Sequence, residues 1–447
     1  MATRKQPAHP QRPTRRLARR PAERPDPASQ AQALQRPVPR APQSGRYPQL
    51  HLHREREATV AFRHPWVFSG AIDEPPNPAL HGQIVQLVTE DGRITGTGTY
   101  SATSSIAVRV FEFGDAVIDR GWLTERIGTA NARRRLLGYG PGTDTTGYRV
   151  LFAESDGLPG LVVDRYGDVL VIQLSTAGMD ALRETVIDVL LDLFQPAAII
   201  ERSDLSVRRE ERLEEVVAVR HGDAPARVPF TEWGVPLLAD VMSGQKTGFF
   251  LDQKDLRKLL RTLPERLSAA GRDVSVLNLF SYSGTTGLAT LLGGATHVHN
   301  VDGSEAALGL GQEHAHLNGI NEDRFTTERT DIFQWLSSHA DPDFDIVLVD
   351  PPALIKSQRD TEHGRRAYHF LNRAALRLVR DGGLLVTSSC SHYFPEEDFM
   401  FELRRAATTL GVILHTLASM RQSPDHPLSV YFPEAAYLKT LVLQVSR

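Results

Sequence analysis

The chain of 447 residues contains one cysteine, Cys390, within the stretch VTSSCSHYF. It follows an apolar run, lies between Ser389 and Ser391, and precedes His392. A thiolate is stabilised in such polar surroundings. Because sulfur is a soft nucleophile, a thiolate can add reversibly to carbon 6 of a cytosine ring and so activate carbon 5. A lone cysteine is more often a small buried apolar residue, so packing and catalysis both remain open.

A second candidate is the acidic motif in DIVLVDPPALIKS, where Asp350 is followed by Pro351 and Pro352. Two successive prolines hold the backbone extended and cannot continue a strand ladder, so the chain must leave the sheet there. Polar atoms at such a strand end can face a flat ring such as a nucleobase. The alternative is a simple strand end with an exposed aspartate.

The segment NLFSYSGTTGLA has the composition of a strand-to-helix turn around Gly284, where backbone N–H groups can approach a ligand. Asp302 lies 18 residues further on, at the end of the next apolar stretch, where a carboxylate can bind ribose hydroxyls. This pair favours an adenosine-containing cofactor, although the glycine can also serve the turn alone. The G-x-G-x-x-G pattern of nicotinamide dehydrogenases is absent. S-adenosylmethionine has no pyrophosphate and needs fewer glycines, so the pattern favours methyl transfer.

A scaffold that brings strand ends together would place all these residues side by side. The last segment, from about Thr231 to Arg447, alternates apolar strands (SVLNLF, HVHNVD, FDIVLVD, GGLLVTSS) with helical patterns (GLATLLGG, EAALGLGQEHAHLNG, DIFQWLSSHA, YHFLNRAALRLVRDG). This alternation predicts a parallel, doubly wound sheet, in which ligands bind beyond the carboxyl ends of the strands. Asp350 falls at the end of the strand FDIVLVD, and Cys390 follows the strand GGLLVTSS.

Two smaller modules precede this segment. Residues from Tyr47 to Trp122 predict short strands and turns, with a hairpin around Asp91-Gly92 in QIVQLVTEDGRITGTGTY. Residues from Leu123 to Val228 combine helical stretches such as MDALRETVIDVLLDLF with strands such as VLVIQLS, which predicts a mixed α/β unit.

The charge is unevenly distributed. Residues 1–46 carry eleven basic and two acidic residues, a balance of +9, which leaves −12 on the remainder of a chain whose total is −3. This proline-rich segment shows no apolar periodicity and is expected to be a disordered arm. It either contacts polyanionic RNA or is a tolerated solvated extension. The chain lacks a secretory signal and a membrane-length apolar run, so we expect a cytoplasmic protein.

Taken together, these motifs resemble the RlmI type of class I methyltransferase, which makes 5-methylcytosine in bacterial large-subunit (23S) ribosomal RNA. The resemblance is carried by RHPWVFSGAI, YRVLFAESDGLPGLVVDRYGD, ERSDLSVRRE, GQKTGFFLDQKDLR, VLNLFSYSG, DPPALIKS, SSCSHYF and DHPLSVYFPEAAYLK. It implies an α/β protein with a PUA-like RNA-binding domain (47–122), a small central α+β domain (123–230) and a Rossmann-like S-adenosylmethionine-dependent domain (231–447). Only residues 1–46 fall outside the resemblance.

The resemblance also implies the roles of individual residues. Cys390 would be the nucleophile and Asp350 would contact the cytosine edge. The residues implied to hold S-adenosylmethionine are Phe280, Ser281, Tyr282, Gly284, Asp302, Asp331, Asp252 and Gln253, and those implied to contact the RNA substrate are Pro351, Pro352 and Lys356. A lone exposed lysine is also commonly only solvated.

Two positions depart from the family pattern. Thr285 replaces the usual second glycine of the cofactor loop, and because a β-branched residue tolerates positive φ poorly, cofactor contact there is expected to be altered. Ala353 stands where two-cysteine cytosine methyltransferases carry a second thiol. The carbon 5 proton must therefore be removed by another base, either Asp350 or water.

Several other polar residues have two interpretations. His392 either lowers the pKa of the thiol or bonds the turn backbone, and Arg133, Arg134 and Arg135 either meet RNA or form a solvated helix face. Asp425 and His426 either shape the active-site rim or serve packing. The paired histidines lack a third ligand, so no metal is expected.

Two other functions remain as alternatives. An enzyme that methylates a guanine or adenine nitrogen would leave Cys390 without a role. A noncatalytic RNA-binding or ribosome-assembly factor would fail to bind S-adenosylmethionine. A homodimer is suggested by the resemblance only, and the target must be flipped out of its helix or lie in a weakly paired loop.

Overall fold

The structure, a computed structural model, describes residues 46–223, 225–268 and 273–447. The prediction of a disordered basic arm concerns residues 1–46, nearly all of which lie outside the described part. None of the helices in the described part is both long and apolar enough to cross a membrane.

The N-terminal module is a five-stranded sheet with strand order β1-β3-β4-β5-β2. Its elements are β1 (Gln49–His51), α1 (Glu57–Ala61), β2 (Trp66–Phe68), β3 (Ile84–Val88), β4 (Ile94–Tyr100) and β5 (Ile106–Glu112). Strands β3 and β4 pair antiparallel around a turn in which Gly92 has φ +80°, so the predicted hairpin is confirmed. Alternate residues such as Val85 and Leu87 point inward and form its small core.

The central module is a second five-stranded sheet with helices against one face. Its elements are α2 (Arg120–Leu136), β6 (Gly147–Phe152), β7 (Leu161–Tyr166), β8 (Val169–Leu174), α3 (Ala177–Ala181), α4 (Arg183–Phe194), β9 (Ala198–Ser203) and β10 (Val216–Gly222). Leu123 of α2 and Leu190 of α4 pack with Val163 and Ile172 of the sheet. The run that was expected to form one amphipathic helix is divided between α3 and α4 at Leu182.

The C-terminal module contains a two-stranded hairpin and a seven-stranded sheet of order β15-β14-β13-β16-β17-β19-β18. Its strands are β11 (Val228–Glu232), β12 (Val235–Ala239), β13 (Ser275–Leu279), β14 (His297–Asp302), β15 (Phe325–Arg329), β16 (Phe344–Val349), β17 (Val379–Ser389), β18 (Ile413–Met420) and β19 (Lys439–Ser446). Its helices are α5 (Lys254–Leu260), α6 (Leu263–Leu267), α7 (Thr285–Leu292), α8 (Glu305–Leu317), α9 (Ile332–Ser338), α10 (Thr361–Leu378) and α11 (Glu396–Leu410).

Strands β13 to β17 run parallel, which confirms the predicted doubly wound architecture. The last two strands are an addition that the sequence did not reveal, because β19 pairs antiparallel with both β17 and β18. The register of this pairing places Lys439 directly opposite Ser389, beside the cysteine. Strand order changes direction at β13, between β14 and β16, and this is where such a sheet forms its ligand crevice.

Two apolar cores lie on opposite faces of the large sheet. Side chains alternate along each strand, so Val276 of β13 packs into one core and Leu277 into the other. The first core also contains Tyr166 and Ile200 of the central sheet and Phe230 of the hairpin. The central and C-terminal modules therefore share a continuous core.

Candidate active site

A cavity of about 450 Å³ opens at the carboxyl ends of β13, β14, β16 and β17. Its wall contains ten of the residues expected at the site: Asp252, Gln253, Phe280, Ser281, Tyr282, Asp302, Asp350, Pro351, Pro352 and Cys390. The volume lies in the range of small-molecule sites. These residues come from four separate strand ends and one upstream loop, and the fold brings them to one place.

The loop after β13 is held in an unusual backbone conformation. Phe280 and Tyr282 have φ of +57° and +48°, and Gly284 has φ of +65°. Gly284 also has no room for a side chain, because a Cβ atom there would lie 2.5 Å from Cζ of Phe325. Thr285 is the first residue of α7 and is not among the residues with positive φ. The premise that Thr285 must adopt positive φ is therefore wrong, since Gly284 takes up the left-handed turn, and an altered cofactor contact at Thr285 stays a prediction.

Asp302 is fixed by this loop and by its own turn. Its Oδ2 accepts a hydrogen bond of 2.8 Å from the backbone N–H of Tyr282, and its Oδ1 accepts one of 2.8 Å from that of Ser304. Each carboxylate oxygen has a second lone pair left for a hydroxyl group. The carboxylate is thus oriented at the cavity wall before any ligand binds.

Asp252 lies in the cavity wall with its carboxyl group strongly perturbed by its neighbours. Its Oδ2 accepts hydrogen bonds of 2.5 Å from the Lys246 ammonium and of 2.5 Å from the Tyr437 hydroxyl. Burial works to raise the pKa of this carboxyl, but the charges of Lys246 and His426 outweigh burial and hold the pKa well below its ordinary value. The group is therefore an anion at neutral pH. Its Oδ1 is buried and has no hydrogen-bond partner within the described residues.

Asp350 shows the opposite behaviour at the end of β16. Burial raises the pKa of its carboxyl and the nearby charge of Asp252 adds to this, while a hydrogen bond of 2.6 Å from Nε2 of Gln253 partly opposes it. The two prolines that follow lead the chain out of the sheet, as expected. Two carboxyl groups in one cavity thus have pKa values moved in opposite directions, a pattern that separates acid from anion roles.

Cys390 follows β17 and is partly buried in the cavity wall. Burial raises the pKa of its thiol, the carboxyl of Asp350 adds to this, and the positive charge of Lys246 opposes it. His392 is exposed and packs edge-on against Tyr393 with ring centroids 5.3 Å apart. In the part of the chain described, His392 does not make the hydrogen bond to the turn backbone that was one of its two interpretations.

A network of hydroxyl groups holds the cysteine loop from behind. The Tyr368 hydroxyl accepts a hydrogen bond of 2.9 Å from Ser389 and shares one of 3.0 Å with the Ser391 hydroxyl. The Ser391 hydroxyl also accepts from the backbone N–H of Ile355 at 3.1 Å. The residues on both sides of the thiol are thereby anchored to the helix α10 and to the loop after β16.

Known proteins match this architecture over most of its length. Residues 50–113 match the PUA-like domain model, and residues 166–444 match the S-adenosylmethionine-dependent methyltransferase model. The ribosomal RNA large subunit methyltransferase I of Shewanella amazonensis is 40% identical over 403 residues, which cover 89% of this chain and 99% of the relative. That of Alteromonas mediterranea is 37% identical over 403 residues, covering 89% and 99% respectively. The chain belongs to the ribosomal RNA large subunit methyltransferase I family.

Members of this family are S-adenosylmethionine-dependent methyltransferases, and this chain is one, with a PUA-like domain before its catalytic fold. A solved structure described as a candidate S-adenosylmethionine-dependent methyltransferase from Streptococcus mutans has the same fold. It aligns with a TM-score of 0.73 at 20% identity and covers 89% of this chain and 100% of that one.

The cavity fits the methyl donor of the methyltransferase I family. S-adenosylmethionine carries an ammonium, a carboxylate and ribose hydroxyls, and each needs polar partners. The unpartnered Oδ1 of anionic Asp252 suits an ammonium, and the Ser281 hydroxyl is likewise buried without a partner among the described residues. The preoriented carboxylate of Asp302 suits ribose hydroxyls. These three residues would hold the donor.

Three expected residues lie outside the cavity wall. Asp331 is exposed and caps helix α9, accepting a hydrogen bond of 2.9 Å from the backbone N–H of Gln334. Lys356 is exposed on the loop after β16, and Gly284 shapes the cofactor loop from behind it. Their contacts with donor or RNA stay predictions.

The structure decides the interpretation of one residue in each of two other groups. Arg134 is buried and forms two hydrogen bonds, of 2.8 and 2.7 Å, with the carboxylate of Asp156, so it can be neither a surface contact for RNA nor part of a solvated face. Asp425 is also fully buried, where it accepts hydrogen bonds from Lys254 and from the backbone of Arg149. The packing interpretation therefore applies to Asp425, which joins the central module to the catalytic one.

Sequence reasoning missed three residues in or beside this cavity. Lys246 and Tyr437 meet at Asp252, and Lys439 donates a hydrogen bond of 2.8 Å to the Ser391 carbonyl. Only Lys439 had a sequence signal, namely a lysine at the start of the apolar run YLKTLVLQV. A lysine is seldom buried in a strand unless its ammonium group has a polar partner.

Proposed function

We propose that this enzyme transfers the methyl group of S-adenosylmethionine to carbon 5 of a cytosine in large-subunit ribosomal RNA. The observation that carries the proposal is the presence of Cys390 and Asp350 in one cavity wall, at the ends of adjacent strands. Cys390 is the only cysteine in the chain. A methyltransferase acting on a nitrogen would not need it.

The reaction begins with the Cys390 thiolate. Its Sγ forms a bond to carbon 6 of the cytosine, and the electron pair of the C5–C6 double bond moves to carbon 5. S-adenosylmethionine, when bound, supplies a methyl group on a positively charged sulfur, which leaves as a neutral thioether. Carbon 5 takes that methyl group.

Asp350 assists the addition as an acid. Since its pKa is raised by burial, the carboxyl holds a proton more readily than an exposed aspartic acid does, and in its protonated form it would donate a hydrogen bond to ring nitrogen 3 of the cytosine. This draws electron density from the ring as the thiolate adds. Removal of the proton from carbon 5 then restores the double bond and expels the Cys390 thiolate. Ala353 supplies no second thiol, which leaves water, or Asp350 once it is ionised, as the base.

The remaining modules would serve RNA binding. We propose the domain boundaries 47–122, 123–230 and 231–447. Helix α2 begins at Arg120 and strand β11 at Val228, so each starts three residues before the domain to which it belongs. The relatives are named as ribosomal RNA methyltransferases, which supports RNA as the partner of this chain. The resemblance also leads us to propose a cytoplasmic homodimer, which sedimentation of the purified protein would test.

The deciding experiment uses ribosomal RNA containing 5-fluorocytosine, from which no proton can leave carbon 5. Incubation with S-adenosylmethionine and enzyme should yield a covalent RNA–protein adduct that survives denaturing electrophoresis. The adduct should be absent with Cys390→Ser, while Ser337→Ala, an exposed serine on α9, should leave it unchanged. Methylation of ordinary RNA without any Cys390-dependent adduct would instead establish nitrogen methylation. Absence of both, on naked RNA and on ribosomal particles, would favour a binding protein.

A further inference from the structure

Lys439 is a buried ammonium group without an anionic partner. The residue is 7% exposed, and no carboxylate lies within 4.0 Å of its Nζ among the residues that the structure describes. The Ser391 carbonyl, at 2.8 Å, is its single hydrogen-bond acceptor in the same set. An ammonium has three N–H groups to donate, and burying its charge costs free energy unless an anion is near. Its position therefore needs an explanation.

The register of the sheet supplies one. Lys439 is the first residue of β19 and lies opposite Ser389, the last residue of β17. Its hydrogen bond reaches across to Ser391, so the ammonium contacts the backbone immediately after Cys390. The thiol and this ammonium also interact electrostatically. Burial lowers the pKa of Lys439, and the charge of the Cys390 thiolate acts in the opposite direction. The charges of Arg421 and Glu396 act on Lys439 with opposite signs.

We propose that Lys439 is a positioning residue for Cys390, fixing the Ser391 carbonyl and supplying the positive charge that favours the thiolate. The inference rests on the proposed role of Cys390 as nucleophile. Without such a charge the thiol faces an unfavourable balance, because burial, Asp350 and Asp252 all disfavour the thiolate, while Lys246 opposes them. The hydroxyl of Tyr368 faces the same loop.

The single cysteine makes a direct test possible. Iodoacetamide alkylates the thiolate and not the thiol, so its rate against pH gives the titration midpoint of Cys390 in the full-length enzyme without RNA or methyl donor. Two variants separate the two roles of the lysine. Lys439→Gln keeps a hydrogen-bond donor but removes the charge, and Lys439→Met removes both. Lys258→Met, at an exposed lysine of α5, is the matched control.

We expect the midpoint to rise by about one pH unit in both variants at Lys439, so that alkylation below the midpoint slows roughly tenfold. The control should titrate as the wild type does. The proposal is overturned if the midpoint of Lys439→Gln lies within about 0.3 pH units of the wild-type midpoint, which is on the order of measurement error. This holds even if the midpoint of Lys439→Met shifts, because only the hydrogen bond of Lys439 would then matter. A merely structural role would lower thermal stability without moving the midpoint.

The same wild-type preparation is assayed for the 5-fluorocytosine adduct. If no adduct forms while the midpoint still depends on Lys439, the proposed cytosine chemistry fails and the electrostatic role stands. If the adduct forms and the midpoint does not depend on Lys439, the reverse conclusion holds. The two proposals therefore fail by different results.

Discussion

Replacing Asp425 with asparagine should destabilise the joint between the central and catalytic modules. The side chains of Asp425 and Lys254 are both fully buried and hydrogen-bonded to each other. Burial works to raise the pKa of Asp425, but the charges of Lys254 and His426 hold it far below the ordinary value. The variant Asp425→Asn keeps the shape of the side chain and leaves the ammonium of Lys254 buried without its counterion.

The size of the effect follows from that uncompensated charge. Breaking a buried ion pair by removing one partner costs about 3–5 kcal/mol. Unfolding entropy is about 2.1 cal/mol/K per residue, so a folded unit of roughly 400 residues loses about 1.2 °C of melting temperature for each kcal/mol. The variant should therefore melt roughly 4–6 °C below the wild type.

Differential scanning fluorimetry of the purified proteins measures this shift. The matched control is Glu305→Gln, which breaks the ion pair between Glu305 and Arg329. The side chains of Glu305 and Arg329 are 81% and 63% exposed, and their charged atoms are 2.9 Å apart. Exposed pairs contribute little, so the control should shift by no more than about 1 °C. Equal shifts for Asp425→Asn and the control would refute the reasoning that burial makes this pair important.

Three further outcomes are expected. Gly284→Ala should lower the melting temperature more than Gly319→Ala does in the same fluorimetry assay. Both glycines have similar positive φ, but a Cβ atom at Gly284 would collide with Phe325, whereas Gly319 has open space around it. Equal effects of the two substitutions would show that the loop relaxes freely. Asp252→Asn should weaken S-adenosylmethionine binding, measured by calorimetry, by about 10-fold or more, since a hydrogen bond to a charged group contributes about 1.5–3 kcal/mol. An affinity within about twofold of the wild-type value would show that Asp252 does not bind the methyl donor. Because the folded pKa of Asp252 is depressed, its contribution to stability is present above about pH 4 and is lost as pH falls towards the folded value. The stability difference between wild type and Asp252→Asn in urea unfolding should therefore shrink as the pH is lowered below about 4. A constant difference would contradict the assigned ionisation.

The strand ends of the catalytic module could be read from the sequence because their logic is local. Apolar stretches followed by Asp302, Asp350 and Cys390 predict parallel strands, and the carboxyl ends of parallel strands meet at one edge of the sheet. The premise of positive φ at Thr285 failed for a related reason. Backbone conformation at one residue depends on where the turn places its positive φ, and Gly284 takes that position.

Other features depended on contacts between distant segments. Arg134 has the sequence context of a basic surface, but the fold buries it against Asp156, 22 residues away. No local pattern announces that Lys246 and Tyr437 would converge on Asp252, because Tyr437 is 185 residues distant in the chain. Such pairs form only when two elements pack.

The sequence by itself determined the class of fold and the family and supplied Cys390 as the candidate nucleophile, since strand and helix periods, turn residues and a lone thiol are properties of short segments. Tertiary structure alone decided the electrostatics of the site. The antiparallel pairing of β19 with β17 brings Lys439 beside the Cys390 loop. Burial raises the pKa of Asp350, whereas the nearby charges of Lys246 and His426 hold the pKa of Asp252 low against the effect of burial. Charge interactions depend on distance and on exclusion of water, and both are set by the packing of segments far apart in the chain.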